Sequence, residues 1–290
     1  MTKTPGSEPE HLSWGRIFWR RFKRHRLAMV GVAILLVLYL VAALAPQIAP
    51  YPPNRQNILN RFKPPSRLHL FGTDMYGRDI FSRVVHGARI SLSVGFVSMG
   101  IAVTIGTTIG ALAGYYGGWV DNALMRLTDI VISFPVLFLI LTVVAIIGPS
   151  IFNIMAVIGL TAWPGTARLV RGQFLSLRAQ DFTEAARALG TTDRRIIFRH
   201  ILPNSMAPII VAATLGVATA ILVETALSYL GIGVQPPQAS WGNILYEGQS
   251  HMRRAWWYTV FPGAFIFLTV LSFNMVGDAL RDALDPRLKE

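Results

Sequence analysis

Fifteen carboxylates, six histidines, four lysines and no cysteine are the groups from which this 290-residue chain could build a reactive centre. The absence of cysteine excludes thiol nucleophiles, disulfide frameworks and thiolate-held zinc. His11, His25, His69, His86, His200 and His251 are isolated, and no HExxH pair offers a zinc site for hydrolysis. A phosphate-binding P-loop needs a lysine after glycine and before Ser or Thr, and Lys3, Lys23, Lys63 and Lys289 all lack the preceding glycine. No nucleophile and base constellation for a membrane-embedded hydrolase is apparent. Any energy source must therefore be another polypeptide.

The polar chemistry that remains is concentrated in a few stretches. The first, EAARALGTTDRRIIFRHILPN (184–204), reads as helix, tight turn, helix. Asp181 with Glu184 three residues later resembles a capping box. Phe182, Ala185, Ala186 and Leu189 then fall on one face, with Glu184 and Arg187 on the other. Gly190 suits the left-handed position after a helix, and Thr191, Thr192 and Asp193 can cap a second helix. In that helix Ile196, Ile197, His200 and Ile201 share a side, until Pro203 ends or kinks it. A merely amphipathic connector resting on lipid is the alternative, but it leaves unexplained the two alanines beside a glutamate, which make a shallow surface open to a partner.

Glu224 lies within an apolar segment, where an ionisable group suggests either a pathway or a buried partner that fixes the following loop, and both readings stand. Asp74, Arg78, Asp79 and Arg83 alternate in sign beside Gly72 and Gly77; a turn held by ion pairs is favoured over ligand binding, and docking of an external binding protein stays open. Trp241, Trp256 and Trp257 are expected in an interfacial aromatic belt.

The elements that must position these groups are hydrophobic helices. With 52% hydrophobic and 14% charged residues and a mean hydropathy of +0.46, the chain reads as an all-α integral membrane protein. Windows near 27–45, 91–113, 129–148, 151–170, 206–230 and 258–277 approach the roughly 20 residues that a bilayer requires. About six transmembrane helices are therefore expected. The fourth is the weakest, because it carries Asn153, Trp163 and Pro164. Gly106, Gly110 and Gly114 recur on one helical face, where small residues permit close approach either within the bundle or to another subunit.

The net charge of +12 lies at the ends of apolar segments, not in a stripe with interleaved aromatics, so no nucleic-acid partner is indicated. With the N-terminus inside, inner regions carry eighteen lysines and arginines and outer regions nine, which favours a cytoplasmic N-terminus. Ala43, Leu44 and Ala45 resemble a signal cleavage site, but the long apolar run and the basic cluster Arg16, Arg20, Arg21, Lys23, Arg24 and Arg26 argue for an uncleaved anchor. The expected organisation is a basic cytoplasmic segment 1–26, an anchor 27–45, an extracytoplasmic loop 46–90, a core membrane region 91–280 containing the loop 175–204, and a cytoplasmic tail 281–290.

Glu184, Ala185, Ala186 and Gly190, followed by Ile201, Leu202 and Pro203, resemble the EAA loop of bacterial ABC importer permeases, with His200 standing where that pattern has an aliphatic residue. FGTDMYGRDIFSRVVHGARISL (71–92), ETALSYLGIGVQPPQASWG (224–242) and NMVGDALRDALDPR (274–287) are similar to the C-type permease subunits of the dipeptide, oligopeptide and nickel importers. The resemblance implies a type I importer permease fold with the EAA loop between spans 4 and 5. It implies a multi-pass inner-membrane protein that is no enzyme and forms half of a translocation pore with a B-type permease. Two ATP-binding subunits would hold ATP and Mg²⁺, so this chain would carry no cofactor or metal. An extracytoplasmic solute-binding protein would deliver di- or oligopeptides, with nickel or another small solute as the alternative cargo. Glu184, Ala185, Ala186, Gly190, Leu202 and Pro203 would couple the loop to the ATPases. An ion-driven secondary transporter is the alternative of another class, but no internal repeat or charged relay supports it.

Overall fold

The computed structural model describes residues 14–284, and the 281–290 tail lies partly outside them. The order is α1 Trp14–Arg24, α2 Arg26–Ala43, α3 Ile80–Tyr116, α4 Gly118–Ser133, α5 Val136–Ile147, α6 Ile151–Arg178, α7 Asp181–Ala188, α8 Asp193–Tyr229, α9 Trp241–Gln249 and α10 Trp257–Leu284.

Four of these, α2, α3, α8 and α10, are long and apolar enough to cross a membrane, and α4 with α5 makes a fifth if the bent pair is one span. The six expected windows thus resolve unequally. The third is broken by an 82° bend at Phe134 and Pro135, because a residue before proline is pushed out of the helical region; Phe134 is extended, with ψ 133°. The fourth window forms α6, which at 28 residues is long enough to cross, but Asn153, Trp163 and Pro164 dilute its hydropathy.

The helices also overrun their apolar windows. The helix expected at 91–113 begins eleven residues earlier, where the Asp79 carboxylate accepts the Ser82 amide at 2.8 Å. The helix expected at 206–230 begins at Asp193. At 37 residues each, α3 and α8 are about 55 Å long against a hydrocarbon core of about 30 Å, so both project well beyond it.

The packing of α3 against α6 explains the glycine ladder. A Cβ on Gly106 would stand 2.7 Å from Thr166 Cβ and from the Trp163 carbonyl. One on Gly114 would stand 2.6 Å from Phe174 Cβ, and one on Gly110 would overlap the Ala167 carbonyl. Of the two readings of this ladder, the internal one holds: the face is filled by α6. Arg171 ties the same pair of elements to α4, with Nε and Nη2 donating to Asp121 at 2.5 and 2.6 Å. Elsewhere Ile80, Val84, Ala88 and Leu92 of α3 meet Ile221 of α8, Trp241 of α9 and Tyr258 of α10 in the largest core. In contrast, Phe134, Leu137, Phe138, Ile146 and Ile147 of the bent pair are exposed, as expected of a surface turned to lipid or another subunit.

Candidate functional site

The 181–204 stretch is a helix, a tight turn and the start of a second helix, but its details differ from the sequence reading. Gln180, not Asp181, is the N-cap of α7; Asp181 is its first residue and makes no capping bond, so its charge acts only through the helix dipole. The helix ends as expected. Gly190 has φ +73°, its amide donates to the Arg187 carbonyl at 3.0 Å, and the Thr191 amide donates to Ala186 at 3.1 Å. This pair of bonds is a Schellman closure, which needs the left-handed residue that glycine supplies.

The expected apolar face is rotated. Thr183 and Ala186 are the buried residues of α7, and the Thr183 hydroxyl donates to the Leu177 carbonyl of α6 at 2.8 Å. Phe182, Ala185 and Leu189 point outward, Leu189 with 85% of its surface exposed. The hydroxyl's partner at the end of α6 decides the rotation, and wheel geometry contains no such partner. Glu184, Ala185, Leu189 and Gly190 are therefore all accessible, and Phe198 in the first turns of α8 is 62% exposed. Thr192, Arg194, Arg195 and Phe198 line an open cleft next to them.

Beneath this surface Ala186, Ile196, Ile197 and Ile201 pack on Ala111 and Tyr115 of α3 and on Val170 and Phe174 of α6. The Tyr115 hydroxyl donates to Asp193 at 2.6 Å, so Asp193 is held by α3 and caps nothing; Thr192 is the N-cap of α8.

Pro203 neither ends nor breaks the helix. The turns over Ile196–Ile201 widen to π geometry, and α8 runs on through Leu202 and Pro203 to Tyr229. A wide turn relieves the clash between a proline ring and the carbonyl four residues earlier. The Asn204 side chain donates its Nδ2 to the His200 carbonyl of this turn at 2.6 Å. His200 itself is half-buried. Leu202 and Pro203 thus sit inside one continuous rod that joins the exposed surface to a membrane span.

Glu224, near the far end of that rod, is completely buried. Its carboxylate accepts from the Ser228 hydroxyl at 2.7 Å and from the Ser91 hydroxyl of α3 at 3.4 Å. The same hydroxyls accept the Val234 amide at 3.1 Å and the Trp241 amide at 3.2 Å. One carboxylate thereby joins α3, α8 and the loop that leads into α9.

The charged cluster of Asp74, Arg78, Asp79 and Arg83 is also buried. Arg78 pairs with Asp74 and with Glu247, the latter at 2.5 Å, while Arg83 Nη2 donates to Glu247 at 3.1 Å and the Tyr258 hydroxyl donates to it at 2.5 Å. His69 Nδ1 meets Asp79 at 2.9 Å. Burial pulls the Arg78 guanidinium down, and Asp74 and Glu247 more than offset this, so its pKa is raised. Glu247, the hub, escaped the sequence reading because its partners are 164 and 169 residues away. The aromatic belt needs correction for the same region: Trp241 and Trp257 are buried, donating to the Val84 and Thr73 carbonyls at 3.0 and 3.2 Å, and only Trp256 of the three is exposed.

A bundle of membrane-length helices, with one span extended as a rod into a polar surface element, defines a polytopic membrane protein of transporter-permease build. Residues 106–290 match the family of binding-protein-dependent transport system inner membrane components, and the chain belongs to that family. Residues 13–65 match the N-terminal transmembrane domain of oligopeptide transport permease C. A dipeptide transport system permease of Alkalihalophilus pseudofirmus is 46% identical over 100% of this chain and 97% of its own length. A glutathione transport system permease of Pectobacterium atrosepticum is 44% identical, covering 94% and 91%. Among solved structures, an inward-facing form of the MetNI methionine ABC transporter is similar in fold, with TM-score 0.58 at 21% identity, over 70% of this chain and 97% of that one.

Proposed function

We propose that this chain is one of two permease subunits of a peptide-importing ABC transporter, and that α7 with the first turns of α8 is the element through which ATPase subunits move it. The names of its relatives support peptide as cargo. The observation that carries the coupling role is mechanical: α7 is closed by the Gly190 turn, packed on α3 and α6, and joined by that short turn to α8, which runs on as a membrane span. A displacement applied at Glu184 and Ala185 is passed along such a rod, whereas a flexible linker would absorb it.

In this reading the exposed Ala185 and Leu189 enter a groove on the ATPase, and Glu184 supplies a charge at its edge. ATP and Mg²⁺ belong to that partner, a second permease completes the pathway, and an external solute-binding protein delivers the peptide. The bias of eighteen lysines and arginines in the inner regions against nine in the outer ones supports a cytoplasmic side for this surface and for the N-terminus. Glu224 is then a structural tie between helices, not a peptide-binding group.

Affinity purification of the full chain in mild detergent tests the reading. ATPase subunits are expected to accompany it, and Glu184→Lys is expected to lower their recovery by about tenfold, the cost of placing a like or unpaired charge at a buried rim. Equal recovery with the variant, at equal membrane insertion, would contradict the docking role.

A further inference from the structure

The strongest unassigned feature is the helix that precedes the first span. Along α1, Phe18 and Phe22 turn inward and pack with Ala28 of α2 and with Ala279 and Ala283 of α10. Trp19, half of it exposed, flanks this packed side, and exposed Lys23 and Arg20 lie further round the helix. The Lys23 ammonium sits 5.0 Å from the Trp19 ring centroid, and that ring stacks on Phe22 at 6.1 Å, so the tryptophan is held in place and not swinging free. His25 then leaves helical geometry (ψ 88°), and α2 starts with exposed Arg26 and Leu27 before its apolar run. Among the described residues Arg20, Lys23 and Arg26 form no ion pair; the acidic contact at this corner is Asp282 of α10, which lies 3.9 Å from His25.

We infer that the outward face of α1, built from Trp19, Arg20 and Lys23 and continued by Arg26, is a binding surface for the phosphate headgroups of anionic phospholipid at the end of the first span. An indole next to cations at the mouth of a membrane helix is chemically matched to the headgroup layer, where the ring lies among glycerol groups and the cations reach phosphate. Binding there holds α1 against the end of α10, since Phe22 and Ala283 share one packed cluster. The inference rests on α2 being a membrane span, which its length and apolarity establish, and not on peptide cargo or ATPase coupling.

The test uses the full-length chain with the subunits that accompany it, purified in mild detergent after exposure to equal phosphatidylglycerol and phosphatidylcholine, with retained lipid read by native mass spectrometry. Phosphatidylglycerol is expected to be retained in excess, and the variants R20Q, K23Q and R26Q are each expected to cut that excess by on the order of fivefold at low salt. The triple variant R20K/K23R/R26K, which keeps charge, is expected to keep the excess. Three results would overturn the inference: no preference in the unaltered chain, the same preference in the glutamine variants, or loss of it in the charge-keeping variant. Displacement of the lipid by inorganic phosphate would do so too, since a simple phosphate site needs no bilayer.

Discussion

At the scale of single residues, two carboxylates tie separate elements together: Glu247, with 13% of its side chain exposed, and the fully buried Glu224. Glu247 accepts from Arg78, Arg83 and Tyr258 at once. Replacing it by alanine leaves the buried Arg83 guanidinium without its carboxylate and Arg78 with Asp74 alone, for which a loss of about 3–5 kcal/mol is expected. A lowered midpoint in thermal unfolding of the detergent-purified protein checks this, with the exposed substitution Arg89→Ala as the comparison that should barely shift it. Glu224 makes a different case, because its partners are serine hydroxyls and not charges. Glu224→Gln keeps an acceptor of the same size, so peptide uptake is expected to stay within about twofold of the unaltered protein, the hydrogen bonds being exchanged for near equivalents. Loss of uptake in a stably folded Gln variant would show that the carboxylate serves the pathway.

At the scale of elements, the fit of α3 to α6 is set by glycine. Gly110→Ala drives a methyl group into the Ala167 backbone carbonyl, which cannot move without shifting α6. A destabilisation of about 1–3 kcal/mol is expected, readable as a lower melting midpoint, whereas Gly100→Ala, with open space around it, should be neutral or slightly stabilising. The existence and kind of these elements were legible in the sequence, because apolar windows of membrane length announce themselves. Their ends were not. The window at 91–113 misses the first turns of α3, where Arg83 and His86 are polar in sequence yet part of the helix. Pro203 reads as a stop or a kink, and the π turn before it lets the helix continue. In the candidate site, Glu184, Ala185, Ala186 and the Gly190 turn could be read locally, since a closing glycine is a short-range signal. The roles of Ser91 and Glu247 could not, since each depends on a partner distant in the chain, and the outward turn of Leu189 and the role of Ser228 rest on short-range bonds across a turn that helix periodicity does not contain.

At the scale of the whole molecule, the fold is a lever with its two ends in different surroundings. One end of α8 contributes its first turns to the polar element at 181–204, and the other is anchored through Glu224 to α3 and the loop before α9. Membership of the binding-protein-dependent permease family fits the proposal that such a part is moved by ATPase subunits. The most direct test of the coupling claim is ATP-driven uptake of a radiolabelled dipeptide by proteoliposomes holding the complete assembly and its binding protein, with the unaltered chain and with Gly190→Val. Valine at φ +73° is strained by roughly 1–2 kcal/mol and remodels the turn while meeting no neighbour, so insertion and ATP hydrolysis should persist. The account predicts uptake that needs ATP and ignores a proton ionophore in the unaltered assembly, and hydrolysis without uptake in the variant. Uptake at the unaltered rate in Gly190→Val, or uptake that continues without ATP and collapses with the ionophore, would contradict it.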